Sequence, residues 1–88
     1  MLQLGSHLRA TTDREGAILL DLVRGQVFRS NASGALVIDL LLRGSDQAEM
    51  ARALADRFGL PADQASADVD SFLAVLRAGG FLEEGQER

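Results

Sequence analysis

The segment from Asn31 to Leu42 constrains this chain most. Asn31 is suited to cap a helix, because its side-chain oxygen can accept from the free amides of the first turn. Ala32 to Leu42 then carries Ala35, Leu36, Val37, Ile38, Leu40, Leu41 and Leu42 around the whole helix axis. A helix that is apolar on every side has to be buried, so the rest of the chain must wrap around it. With 88 residues in total, there is room for one core and not for two. The chain has no cysteine, so no disulfide or thiolate metal site can support that core. Its stability must come from the 47% of residues that are hydrophobic.

Before this helix the chain reads as strands. Leu8–Thr12 is short and alternates weakly. Asp13-Arg14-Glu15-Gly16 is a polar turn ending in glycine, where a positive φ is cheap. Ala17–Leu22 is β-rich, with Asp21 as its only charge. Val23-Arg24-Gly25 is a second turn, and Gln26–Ser30 a third strand. Connections this short make consecutive strands antiparallel, so a three-stranded meander is expected.

After it come two more helices. Arg43-Gly44 closes the first. Asp46-Gln47-Ala48-Glu49 has capping-box spacing and opens a helix running to Phe58, with Met50, Ala51, Leu54 and Phe58 on one face. Gly59 ends it, and Leu60-Pro61 leads into a helix from Ala62 to Ala78. Val69, Phe72, Leu73 and Leu76 form the apolar stripe of that last helix, with Ala65, Asp68 and Val75 on its shoulder. Gly79-Gly80 breaks it, Phe81-Leu82 should tuck back onto the core, and Glu83–Arg88 reads as a polar tail. The expected fold is α+β: a three-stranded antiparallel sheet followed by three helices, in winged helix-turn-helix outline. One domain covers residues 1–88, ordered over about 7–82.

Charge and composition exclude several functions. There are 13 acids against 9 bases, for a net charge of −4, and every base is arginine. A helix-turn-helix that reads DNA needs basic flanks on the phosphates. The last helix instead carries Asp63, Asp68 and Asp70 against Arg77, so no nucleic-acid partner is expected. No apolar run is long enough to span a bilayer and no secretory signal is visible. The expected setting is cytoplasmic, with no membrane partner.

No catalytic constellation is visible. His7 is the only histidine and has no nucleophile or carboxylate motif beside it; it reads as a surface strand residue. Asp68 and Asp70 are two apart on a helix, so they do not face each other and cannot share a metal or a proton. Asp70-Ser71-Phe72 has the look of an acyl-carrier attachment site, but its serine lies inside a helix behind a sheet. Gly79-Gly80 lacks the context of a phosphate loop. No catalytic residue, metal or cofactor is expected. What remains is a binding surface. The open edge of a meander can accept a partner peptide as a further strand, and the shoulder of Ala65, Asp68 and Val75, beside Phe72, could line a groove.

The ordered set of segments resembles the PqqD-like proteins, the RiPP recognition elements. It comprises Gly16 with Ala17–Leu22, then Gly25-Gln26-Val27-Phe28-Arg29-Ser30-Asn31, then Gly34-Ala35 opening an apolar helix. Asp68-Val69, Phe72-Leu73, Leu76 and Gly79-Gly80-Phe81-Leu82 complete it. Val27, Ser30 and Ile38 replace the family's usual tyrosine, leucine and tryptophan. A stand-alone chain with this aliphatic third strand is most similar to the discrete leader-binding subunit of lasso-peptide pathways. The resemblance implies a non-catalytic protein that binds the leader of a ribosomally made precursor and delivers it to a separate leader peptidase or other maturation enzyme. The leader would lie as an added antiparallel strand between the third strand and the last helix. Carried over by position, the contacts would be Val27, Phe28, Arg29 and Ser30 on the strand, and Asp68, Phe72, Val75 and Leu76 on the helix. Which pair of strand residues faces the groove is open at this stage. The second reading is a winged-helix interaction or regulatory domain without a leader ligand. A gene neighbourhood holding a short precursor, a protease and a cyclase would separate the two.

Overall fold

The computed structural model describes residues 2–84. Its element order is β1 (Leu2–Leu4), β2 (Leu8–Thr12), β3 (Ala17–Asp21), β4 (Gln26–Ser30), α1 (Ala32–Leu42), α2 (Gln47–Phe58), α3 (Ala62–Ala78) and β5 (Leu82–Glu84). The expected α+β layout is present. β2, β3 and β4 form an antiparallel meander in that spatial order, and the three helices follow. This layout fits the winged helix-turn-helix outline.

Two strands escaped the sequence reading. β1 and β5 pair antiparallel, with Leu4 opposite Leu82 and Gln3 opposite Glu83. Each has three residues, its partner lies at the other end of the chain, and β5 carries two glutamates. Nothing local announces such a pair. Glu83 therefore belongs to a strand, not to a polar tail, and order reaches back beyond residue 7; residues 85–88 lie outside the described residues. His7 sits in the turn after β1, not in a strand, and Leu22 falls in the β3–β4 turn.

The register sorts the sheet's side chains. Leu8, Ala17, Leu19 and Asp21 point to the helices and are buried. Arg9, Thr11, Ile18, Leu20, Val27 and Arg29 lie on the outer face by strand alternation. α1 is the core element: Ala35, Val37, Ile38 and Leu41 are buried. It is not buried all round, however, since Leu42 is 56% exposed at its last turn. Asn31 caps it, accepting from the Gly34 amide at 3.0 Å. In α2 the capping box closes both ways, Glu49 N–H to Asp46 Oδ1 and Asp46 N–H to Glu49 Oε1, each 2.8 Å. Met50 and Leu54 fill the core from α2, while Phe58 is partly exposed at its end. α3 contributes Ala65, Val69, Leu73 and Leu76, all buried. Ala65 is thus core and does not share the exposed shoulder with Asp68 and Val75. Phe81 returns to the core, its amide donating to the Leu76 carbonyl at 2.9 Å.

Asp21 is buried and shapes the β3–β4 turn. Its Oδ1 accepts from the Val23 and Arg24 amides at 3.0 and 2.9 Å. Its Oδ2 lies 3.6 Å from His7 Nε2 and 4.0 Å from Arg24 Nε. The Arg24 amide bond, chiefly, holds its carboxyl below the ordinary aspartate range; burial opposes this, and the Val23 amide, His7 and Arg24 add to it. A carboxyl acidified by folding stabilises the native state above its unfolded pKa. That contribution is lost as pH falls through the folded value. Asp21→Asn is therefore expected to melt below wild type at neutral pH. The gap should narrow from about pH 4 downward, as thermal melts across an acid pH series would show.

Candidate functional site

β4 is an edge strand, hydrogen-bonded only to β3 within its sheet. Its free edge can be assigned atom by atom. Asp13 N–H donates to the Gly16 carbonyl and Leu22 N–H to the His7 carbonyl. Antiparallel ladders alternate, so Ile18 and Leu20 bond toward β2, while Ala17, Leu19 and Asp21 bond toward β4. The register sets Leu19 opposite Phe28 and Ala17 opposite Ser30. The main-chain groups of Phe28 and Ser30 are therefore used inside the sheet, and those of Val27 and Arg29 point away from it. The two pairs are thereby separated by face. Phe28 and Ser30 turn their side chains inward; Val27 and Arg29 turn theirs to the outer face and offer their backbone to the open edge.

Phe28 anchors β4 to α3. Its ring meets Phe72 edge-on at 6.0 Å and Phe81 at 5.5 Å. Past Phe28, a cleft of about 280 Å³ opens between the start of α1 and the middle of α3. Gly34, Val37, Leu54, Phe72 and Val75 give it apolar walls; Asn31, Ser33, Asp68 and Ser71 give it a polar rim. Small-molecule pockets run from about 300 Å³ upward, so this volume suits one or two side chains. Asp68 and Asp70 diverge as expected: Asp68 faces the cleft, and Asp70 accepts from Gln47 Nε2 at 3.4 Å.

Asp68, Phe72 and Val75 thus line the cleft, while Phe28 stands beside it against Phe72 and Ser30 beside Gly34. Leu76 is fully buried and does not line the cleft. Sequence reasoning missed Asn31, Ser33, Gly34, Val37, Leu54 and Ser71 as lining residues. The usable signal was Gly34, because a glycine inside the first turn of a helix is costly unless something needs the space. A Cβ there would lie 2.7 Å from both Phe72 Cε1 and Ser30 Cβ. Gly34→Ala is expected to destabilise by about 1–2 kcal/mol, overpacking outweighing the gain in helix propensity. Phe72 should move into the cleft, which loss of Phe28–Phe72 ring contacts in NMR spectra would report.

These features can be set beside known proteins. No curated protein matches the chain. Two solved structures share the fold. One, described as TbiB1 in complex with the TbiA(beta) leader peptide, is 21% identical; the match covers 97% of this chain and 99% of that one, with a TM-score of 0.86. The other, lasso peptide synthetase B1 complexed with the leader peptide, is 23% identical; the match covers 94% and 98%, with a TM-score of 0.84. The family model for coenzyme PQQ synthesis protein D (PqqD) matches residues 16–82. That span runs from the β2–β3 turn, through β4, the cleft and α3, into β5, and on it the chain belongs to the PqqD family.

Proposed function

We propose that this protein binds the leader segment of a ribosomally made precursor peptide and presents it to a separate processing enzyme. The observation that carries this reading is the unused backbone edge at Val27 and Arg29, lying beside an apolar cleft that suits side chains. A peptide running antiparallel to β4 would pair with that edge. Its inward side chains would meet Phe28, Phe72 and the cleft bounded by Asp68 and Val75. The two solved structures compared above are leader-peptide complexes, which supports the same reading.

The protein itself catalyses nothing in this account. The cleft carries one carboxylate, Asp68, and no facing base, and the sole histidine is engaged near Asp21. Its role is to raise the local concentration of precursor at a leader peptidase or other maturation enzyme. No helix among the described residues is long and apolar enough to cross a membrane; a cytoplasmic setting fits a precursor taken up soon after synthesis. The test is titration of the labelled leader from the precursor encoded in the same operon, followed by fluorescence polarisation. Saturable binding without any mass change in the peptide supports the reading. Absence of binding by the folded protein contradicts it.

A further inference from the structure

The outer face of the meander suggests what kind of leader fits. We propose that Arg29 selects leaders carrying a carboxylate on the solvent side of the bound strand, with an aliphatic side chain two residues later. This rests on the leader-binding reading and specifies its ligand.

Residues directly opposite one another in an antiparallel pair share a face. On the outer face, Thr11, Ile18 and Arg29 form one row, and Arg9, Leu20 and Val27 the next. A strand added to β4 extends each row by one side chain. In the first row that side chain lies beside Arg29, which is exposed and makes no hydrogen bond or ion pair among the described residues. Its row neighbours Ile18 and Thr11 carry no charge. Asp13 and Glu15 share a hollow with Arg29, but neither forms an ion pair with it among the described residues, and Asp13 Oδ1 is taken by the Glu15 and Gly16 amides. The guanidinium is therefore available to a carboxylate on the incoming strand. In the second row the new side chain extends an exposed apolar strip, Leu20 and Val27. Read from N to C along an antiparallel leader, the pattern is fixed. A cleft-facing residue lies opposite Ser30 and an acid opposite Arg29. A residue over Phe28 and Phe72 follows, and an aliphatic residue opposite Val27 completes it.

The test selects fully randomised displayed peptides, long enough to span β4, on the wild-type protein and on Arg29→Glu. The wild-type pool should place Asp or Glu directly after its apolar anchor, and the Arg29→Glu pool should place Lys or Arg there. A winning peptide resynthesised with Lys for Glu should bind wild type about five- to tenfold more weakly and bind Arg29→Glu more tightly, as exposed cross-strand charge pairs do. The difference should shrink in molar salt. Arg29→Gln should lose the acidic preference without acquiring a basic one. Pools enriched for the same peptides on both proteins, or with no charge preference at that position, overturn the assignment to Arg29 while leaving leader binding intact. Recovery of no peptide from either folded protein instead overturns leader binding, and the Arg29 assignment with it.

Discussion

Arg29→Pro is expected to fold and to lose leader affinity at least about tenfold, or 1.4 kcal/mol. Proline removes the Arg29 amide, which the ladder alternation aims at the open edge, and its ring occupies the space a partner strand needs. The β3–β4 hydrogen bonds, made by Phe28 and Ser30, are untouched. Phe28→Pro is the opposite case. It removes an amide that bonds to Leu19 inside the sheet and takes away the ring that holds β4 to Phe72 and Phe81. That variant should lose cooperative unfolding. Arg29→Gln separates the backbone effect from the charge: it should retain most of the affinity that the proline loses. Thermal melts paired with leader titrations read both effects.

Leu73 and Val75 make a second contrast, two residues apart on α3. Leu73 is 1% exposed and Val75 is 53% exposed at the cleft. Losing a buried leucine's packing costs about 2–5 kcal/mol, and Leu73→Asp adds an unpaired carboxylate in the core. A domain of this size has roughly 5–15 kcal/mol of stability to lose, so Leu73→Asp should be largely unfolded. Val75→Asp should melt within a few degrees of wild type. Its carboxylate would have to be desolvated when a peptide fills the cleft, which is expected to cost at least about tenfold in affinity. A Val75→Asp protein that binds with unchanged affinity would place the groove elsewhere.

How much of this was legible in the sequence depends on how local each cause is. The three helices and the meander are written in short-range signals. Asn31 and the Asp46–Glu49 pair mark helix starts through hydrogen bonds to neighbouring residues, and the structure keeps those bonds; Gly59 marks an end through its left-handed φ, and Pro61 a start through its fixed ring, without a side-chain cap. The β1–β5 pair joins the two ends of the chain and has no local signal. Helical periodicity placed Ala65 on the shoulder of α3, but residue size admits an alanine where α2 and α3 pack closely, and it is buried. The angle around a helix says less than what packs against it. Leu76 is core, as its stripe predicts; only the family resemblance placed it among the contacts. The strand's ambiguity was of another kind. Alternation divides Val27 and Arg29 from Phe28 and Ser30, but only the register with the buried face of β3 fixes which pair turns outward, and only the ladder bonds at Leu22 and Asp13 fix which pair offers its backbone to the open edge. In the sequence Asp21 is a lone charge in a β-rich run. Its position at a strand end, before a turn closed by glycine, was an available signal for a carboxylate that binds turn amides.

The most direct measurement is residue-resolved amide hydrogen exchange, with and without the leader encoded beside the protein. In the free protein the Phe28 and Ser30 amides should be protected by β3, while those of Val27 and Arg29 exchange quickly. Adding leader should slow Val27 and Arg29 selectively, by a factor that grows with occupancy. Tight binding that leaves the Val27 and Arg29 amides exchanging at their free rates would contradict strand addition at β4.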